Sequence, residues 1–144
     1  MRKFSESLPM LLLRAREATM ENFRPILNEN GVTEQQWRVI RALYELGESN
    51  AQDLAQASSI LSPSLSRIIS RLDAEGLVIR TISPEDQRET ILKLSAKGQK
   101  LHDKIGGPVE DKYREIQQRM CPDKLAQLYG LLHELADINK PSSK

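Results

Sequence analysis

The chain is short of most features that announce an enzyme, a secreted scaffold or a membrane protein. It has one cysteine in 144 residues, Cys121, so no internal disulfide forms, and that usage suits a reducing cytoplasm. It has two histidines, His102 and His133, far apart in sequence and expected to be solvated rather than catalytic. With one cysteine beside them they are too few and too scattered for a metal centre. No glycine-rich phosphate loop, nucleophile elbow or HExxH pattern occurs. Mean hydropathy is −0.49, and Leu11–Leu12–Leu13 is soon followed by Arg14 and Arg16, so neither a signal peptide nor a membrane span is expected. Net charge is only +1, so any attraction to nucleic acid must be local. Aromatics make up 4% of the chain, which singles out Trp37 and the tyrosines.

What is present is helical periodicity. Residues 8–28 read as a first helix, with Leu12, Ala15, Arg16, Thr19 and Phe23 at three- and four-residue steps and a stop at Asn30-Gly31. Thr33 with Gln36 forms a capping box that starts a second helix. Its stripe is Trp37, Ile40, Leu43 and Tyr44, and Gly47 ends it. Asn50 caps a short third helix through Ser58. Ser62 is the expected N-cap of a fourth, with Pro63 at its first position, Leu65, Ile68, Ile69 and Leu72 on its apolar face, and Gly76 as its stop.

The pattern then changes. LVIRTI (77–82) and ETILKLS (89–95) are strand-like, and the turn-rich SPEDQR (83–88) between them makes a hairpin. A long helix resumes from Ser95 through Met120, with an expected interruption at Gly106-Gly107-Pro108, since an internal proline removes a hydrogen bond. A last helix runs from Pro122 to about Asn139, ahead of a frayed KPSSK tail. The order α-α-α-α-β-β-α-α predicts a mainly α fold with a small β-hairpin wing, a winged helix-turn-helix lobe at 33–95. The flanking segments, 4–30 and 96–139, are too apolar to stand alone and read as dimerisation helices in a single 144-residue unit.

The stretch SPSLSRIISRL (62–72) carries the functional signal. Its solvent face holds Ser64, Ser66, Arg67, Ser70 and Arg71, and no Asp or Glu occurs from Leu54 to Leu72. A helix entering the major groove avoids anions because phosphates line both walls. Serine donates and accepts with little bulk, and arginine reads guanine edges or grips phosphate. Free N–H groups at the helix start, beside Ser62, also favour phosphate. Arg88 at the wing tip suits the minor groove, Asp86 braces it or the turn, and Arg80 reaches phosphate or is solvated.

DLAQASSILSPSLSRIISRLDAEGLVIR (53–80) and the wing SPEDQRETILKLSAKG (83–98) resemble the multiple-antibiotic-resistance regulator (MarR) family. LLLRAREATMENFRPIL (11–27) and VTEQQWRVIRAL (32–43) are similar to its branch controlling homoprotocatechuate (3,4-dihydroxyphenylacetate) and related aromatic-acid catabolism. The resemblance implies a homodimer whose recognition helices lie at 62–75. It implies double-stranded operator DNA as partner, pseudo-palindromic with half-sites roughly 10 bp apart, and a repressor released by a small ligand.

Trp37 and Arg41, four apart, share a helix face, while Arg38 is expected to point elsewhere. An indole beside a guanidinium suits an aromatic carboxylate, with the ring stacked and the carboxylate in the arginine fork. Arg16, Ser7 and the Tyr113 hydroxyl are candidates to complete the site. Trp37 also reads as a core anchor, Tyr113 as simple packing, and Arg16 and Arg41 as interhelix ion pairs with Glu17, Glu34 or Glu45. No cofactor is expected. Two competing readings remain: thiol sensing at Cys121, and a helical dimerisation module without specific DNA binding.

Overall fold

The computed structural model describes residues 1–142. A single 3₁₀ turn, Phe4–Glu6, precedes α1 (Leu8–Met20), α2 (Arg24–Glu29), α3 (Glu34–Leu46), α4 (Ala51–Ser58) and α5 (Ser62–Ala74). Strands β1 (Val78–Ile82) and β2 (Thr90–Leu94) follow, then α6 (Ala96–Met120) and α7 (Pro122–Ala136). The chain forms two compact units, one through Val109 and one from Glu110 onward. The tail expected at 140–144 lies partly outside the described residues, and the last helix ends at Ala136 rather than near Asn139.

The first unit is built around α3. Leu27, Val39, Ile40, Leu43, Leu54, Leu65, Leu72 and Ile105 are completely or almost completely buried, so α2 to α6 all contribute to one core. Both capping predictions on this side hold. Gln36 N donates to Thr33 Oγ1 (3.1 Å) while Thr33 N donates to Gln36 Oε1 (3.0 Å). Asp53 N donates to Asn50 Oδ1 (2.7 Å).

The hairpin is antiparallel with Arg80 opposite Leu92. It is joined by a short outer bridge, in which Ser49 and Leu92 exchange backbone hydrogen bonds of 2.9 and 2.8 Å. Asn50 Nδ2 adds a bond to Glu89 Oε1 (2.7 Å), so the start of α4 is fastened to the base of the wing. The far end is fastened at Gly98, where an added Cβ would stand 2.2 Å from the Leu77 carbonyl oxygen. Only glycine lets α6 start this close to the strand.

Four expectations need correction. The first helix does not run unbroken to residue 28, because α1 ends at Met20 and α2 begins at Arg24. Pro25 has no N–H for the carbonyl four residues earlier, so it is tolerated in the first turn of a new helix but not inside a continuous one. The turn at 21–23 seats Phe23 in the core. At the start of α5, Leu61 rather than Ser62 is the N-cap, with no side-chain cap bond, and Ser62 and Pro63 occupy the first two helical positions. Gly106-Gly107-Pro108 does not interrupt α6. Pro108 and Lys104 are both exposed, so the carbonyl that loses its partner is within reach of water, while Ile105 and Val109 stay buried. Finally, His102 is not solvated. Its side chain is 16% exposed and lies between two aromatic rings.

Candidate DNA-contacting surface and ligand site

On α5, Ser62, Ser66, Arg67, Ser70 and Arg71 are exposed and Ser64 is half-buried, while Leu65, Ile69 and Leu72 face the core. The two-faced pattern thus turns the serines and arginines outward, and the first exposed acid of the helix is Asp73 in its last turn. The arginines differ in what they hold. Arg71 Nε is 3.3 Å from Glu75 Oε1, one turn on. Arg80 on β1 pairs with Asp73 (3.2 Å) and donates from Nη2 to Ser70 Oγ (3.1 Å), so it braces the hairpin against α5 rather than standing solvated. Among the described residues, Arg67 and Arg88 hold no ion pair and no side-chain hydrogen bond. Ser66 donates to the Ser62 carbonyl (3.1 Å), a one-turn back-bond that uses its hydroxyl hydrogen and leaves its lone pairs.

The wing tip is shaped by Asp86 and Ser83. Arg88 N donates to Asp86 Oδ1 (3.0 Å), and Glu89 N to the Asp86 carbonyl (3.0 Å). Ser83, buried, accepts at Oγ from the N–H groups of Glu85 and Asp86. Asp86 therefore braces the turn, and the Arg88 side chain is left exposed at its end.

A second constellation surrounds α3. His102 from α6 stacks against Tyr44 (3.6 Å between ring centres, 11° between planes) and against Trp37 (5.5 Å, 23°). Trp37 is buried and Tyr44 half-exposed. Residues 37 and 44 are two turns apart, which spaces them for one inserted ring.

Arg38 and Arg41 line one open cleft of about 290 Å³ with Ala42, Glu45, Leu46, Ala57 and Ser58. Arg38 therefore does not point away from Arg41. Three residues apart, they share a face. Arg41 is 3.6 Å from Glu45. Arg38 donates from Nη2 to the Ser59 carbonyl (3.1 Å), and its buried Nε has no hydrogen-bond partner among the described residues. Burial, and then the like charge of Arg16, lower the Arg38 pKa from the usual arginine value.

Arg16 sits in a network of four charges. It contacts Glu34 closely and lies 3.8 Å from Glu17, while Arg24 bonds Glu17 with both terminal nitrogens (2.9 and 3.0 Å) and reaches Glu34 at 3.6 Å. The Arg24 guanidinium holds the Glu17 carboxyl below the usual carboxylate range. Ser7 is the N-cap of α1, half-buried, with its N–H on the Phe4 carbonyl (3.0 Å). No described hydrogen bond or ion pair links Ser7, Trp37 or Arg41 to Arg16. Tyr113 lies on α6 in the second unit, half-buried. Cys121 is exposed and is the N-cap of α7, with φ at +70°. Among the described residues there is no group of three His, Cys, Asp or Glu side chains that could hold a metal, and no helix long and apolar enough to cross a membrane.

Residues 32–90 match the model of the MarR family. The HTH-type transcriptional regulator FarR of Neisseria gonorrhoeae is 46% identical over 132 residues, 92% of this chain and 90% of that protein. This chain belongs to the MarR family. The homoprotocatechuate degradative operon repressor of Escherichia coli, a relative 41% identical, is matched over 90% of this chain and 87% of its own length. The crystal structure of NadR in complex with 4-hydroxyphenylacetate superposes with a TM-score of 0.83 at 45% identity, covering 96% of this chain and 99% of that one. Within the MarR fold, α3 to α5 and the hairpin form the winged helix lobe. Around α3 and the wing, sequence reasoning set His102 aside as solvated and Arg38 as pointing elsewhere, and it did not consider Ser49. A signal existed for Arg38, in its three-residue spacing from Arg41.

Proposed function

We propose that this chain is a dimeric, cytoplasmic transcriptional repressor, not an enzyme, which leaves a pseudo-palindromic operator when it binds a small phenolic or aromatic carboxylate. The observation that carries the DNA role is the state of α5. Its start has no side-chain cap, its outer face has no acid before Asp73, and among the described residues Arg67 has no partner, beside a wing that ends in Arg88, also without one. A cation without an internal partner has no ion pair to break before it meets a phosphate or a guanine edge. Arg71 and Arg80 would first have to leave Glu75 and Asp73. Dimerisation is supported by α1 and α7, which carry Leu8, Leu11, Leu12, Leu13, Leu128, Leu131 and Leu132 yet bury no residue in the single chain. Exposed apolar stripes of this kind mark interfaces.

The ligand reading rests on α3 and on the relatives, an operon repressor of homoprotocatechuate degradation and a protein seen with 4-hydroxyphenylacetate. Arg41 and Arg16 would exchange Glu45 and Glu34 for the ligand carboxylate, with Trp37 as the apolar wall. The Arg41–Glu45 pair is largely exposed, so exchanging it costs little. Release follows if the acid favours a spacing of the two recognition helices that misses successive major grooves.

The test is a gel shift on the DNA upstream of this protein's own gene, with and without 4-hydroxyphenylacetate, 3,4-dihydroxyphenylacetate and a hydroxycinnamate. A specific complex that one acid abolishes is the expected result. A complex indifferent to all of them removes the aromatic-acid site, and no specific complex removes the operator in that DNA.

A further inference from the structure

The residue that joins the two constellations is Arg38. On one side it lines the cleft with Arg41 and feels the charge of Arg16. On the other it holds the carbonyl of Ser59, 21 residues on. Ser59 is the corner of the helix-turn-helix. It is the C-cap of α4 and stands in the left-handed region (φ 53°, ψ 44°), two residues before the N-cap of α5. A non-glycine residue there is strained and persists only where its surroundings hold it. Two backbone bonds help, Ser59 N to the Gln56 carbonyl (3.3 Å) and Ile60 N to the Ala55 carbonyl (3.1 Å). The Arg38 bond is the one that ties the corner to another helix.

Arg38, half-buried at the cleft, is also incompletely satisfied. It has one neutral acceptor, one buried nitrogen with no partner, and no carboxylate in contact among the described residues. The cleft brings two guanidiniums to one carboxylate, that of Glu45. An anion arriving at Arg41 would therefore offer Arg38 a stronger acceptor than the Ser59 carbonyl, because a carboxylate brings a full negative charge and a fork geometry to the guanidinium where a carbonyl brings only a dipole.

Resting on the proposed ligand-released repressor, we infer that Arg38 is the positioning residue that transmits ligand occupancy from α3 to the recognition helix, by exchanging the Ser59 carbonyl for the bound carboxylate. In the free protein it clamps the corner and sets α5. In the bound protein the clamp is released and α5 relaxes.

The test compares wild type with Arg38→Gln and Arg38→Lys, as full chains, on the upstream DNA. It measures DNA affinity with and without 4-hydroxyphenylacetate, and acid binding by calorimetry. Wild type should lose affinity on adding the acid, by roughly 5- to 150-fold for an ordinary coupling. Arg38→Gln should bind DNA, and should bind the acid through Arg41 more weakly than wild type, yet show nearly the same DNA affinity with and without saturating acid. Arg38→Lys keeps the charge and a donor and should recover part of the response, which a merely structural defect would not allow. If Arg38→Gln does not fold, the reduced response of Arg38→Lys decides. An undiminished response to saturating acid in the variants overturns the inference. So does an acid affinity of Arg38→Gln that is unchanged, since Arg38 would then not take the carboxylate, or abolished, since Arg38 would then be the main anchor of the acid rather than its transmitter. A wild-type protein that binds this DNA but ignores the acid overturns the functional reading, and the coupling role with it.

Discussion

Helices α3 and α5 are both thirteen residues long and both amphipathic, yet they finish their chemistry in opposite ways. At its start α3 is closed by a reciprocal capping box, whereas α5 begins at Leu61 with no side-chain cap. Both arginines of α3 are engaged, Arg38 by Ser59 and Arg41 by Glu45, and an imidazole covers its tryptophan. Arg67 of α5 has no partner among the described residues. Thus α3 engages both of its arginines within the chain, whereas α5 engages Arg71 and leaves Arg67 without a partner among the described residues. On the proposed reading this difference separates a ligand-reading helix from a DNA-reading one better than composition does, since both helices contain two arginines.

The largest expected contrast is in stability. Trp37→Ala removes a buried ring that packs against His102, and should cost about 3–5 kcal/mol. Arg67→Ala removes an exposed, unpaired side chain and should stay within about 0.5 kcal/mol of wild type. Urea unfolding of the two variants measures both. Equal losses would break the comparison, because Arg67 would then have an internal role that its surroundings do not show.

The next contrast is in DNA binding, where the order reverses. Arg67→Ala should weaken operator binding by about 1–3 kcal/mol if it reads a base edge. Arg88→Ala, if it meets phosphate, should weaken binding evenly across sequences and lower the salt slope by about 1. Arg71→Ala should lose less than Arg67→Ala, since Glu75 competes for that guanidinium. Fluorescence anisotropy over a salt series ranks the three. An Arg71 effect larger than that of Arg67 would show that internal pairing does not predict which cations DNA uses.

Much of this was legible in the sequence, and the exceptions share a cause. Local signals were reliable: the apolar periods of α3 and α5, the alternation of the hairpin, and the caps at Thr33 and Asn50 are set by residues within one turn. Pro25 was a local signal too, and reading residues 8–28 as one helix overlooked it. Long-range meetings were not legible. Nothing near His102 says that α6 will bring it between Trp37 and Tyr44, and nothing in Ser49 foretells its bridge to Leu92. Such pairs follow from tertiary packing, which periodicity does not encode. Arg16 and Arg41 illustrate the limit from the other side. Their residue types fit a carboxylate site, and in this chain they hold Glu34 and Glu45, the ion pairs that the same spacing allowed.

The smallest expected contrast is at the two helix starts, and it tests the reading of α5 most directly. Thr33 accepts a hydrogen bond from Gln36 N, so Thr33→Ala should destabilise the protein by about 1 kcal/mol. Ser62 makes no cap bond and occupies the first helical position, so Ser62→Ala should leave stability nearly unchanged. Thermal unfolding of both variants gives the comparison. If Ser62→Ala costs as much as Thr33→Ala, the serine hydroxyl caps α5 in solution, and the N–H groups at that end are already satisfied. The helix start would then offer less to a phosphate, and the DNA contact would rest on Arg67 and Arg88 alone. If only Thr33→Ala is costly, the first N–H groups of α5 remain open, and a phosphate of the operator is the acceptor that they lack inside the chain.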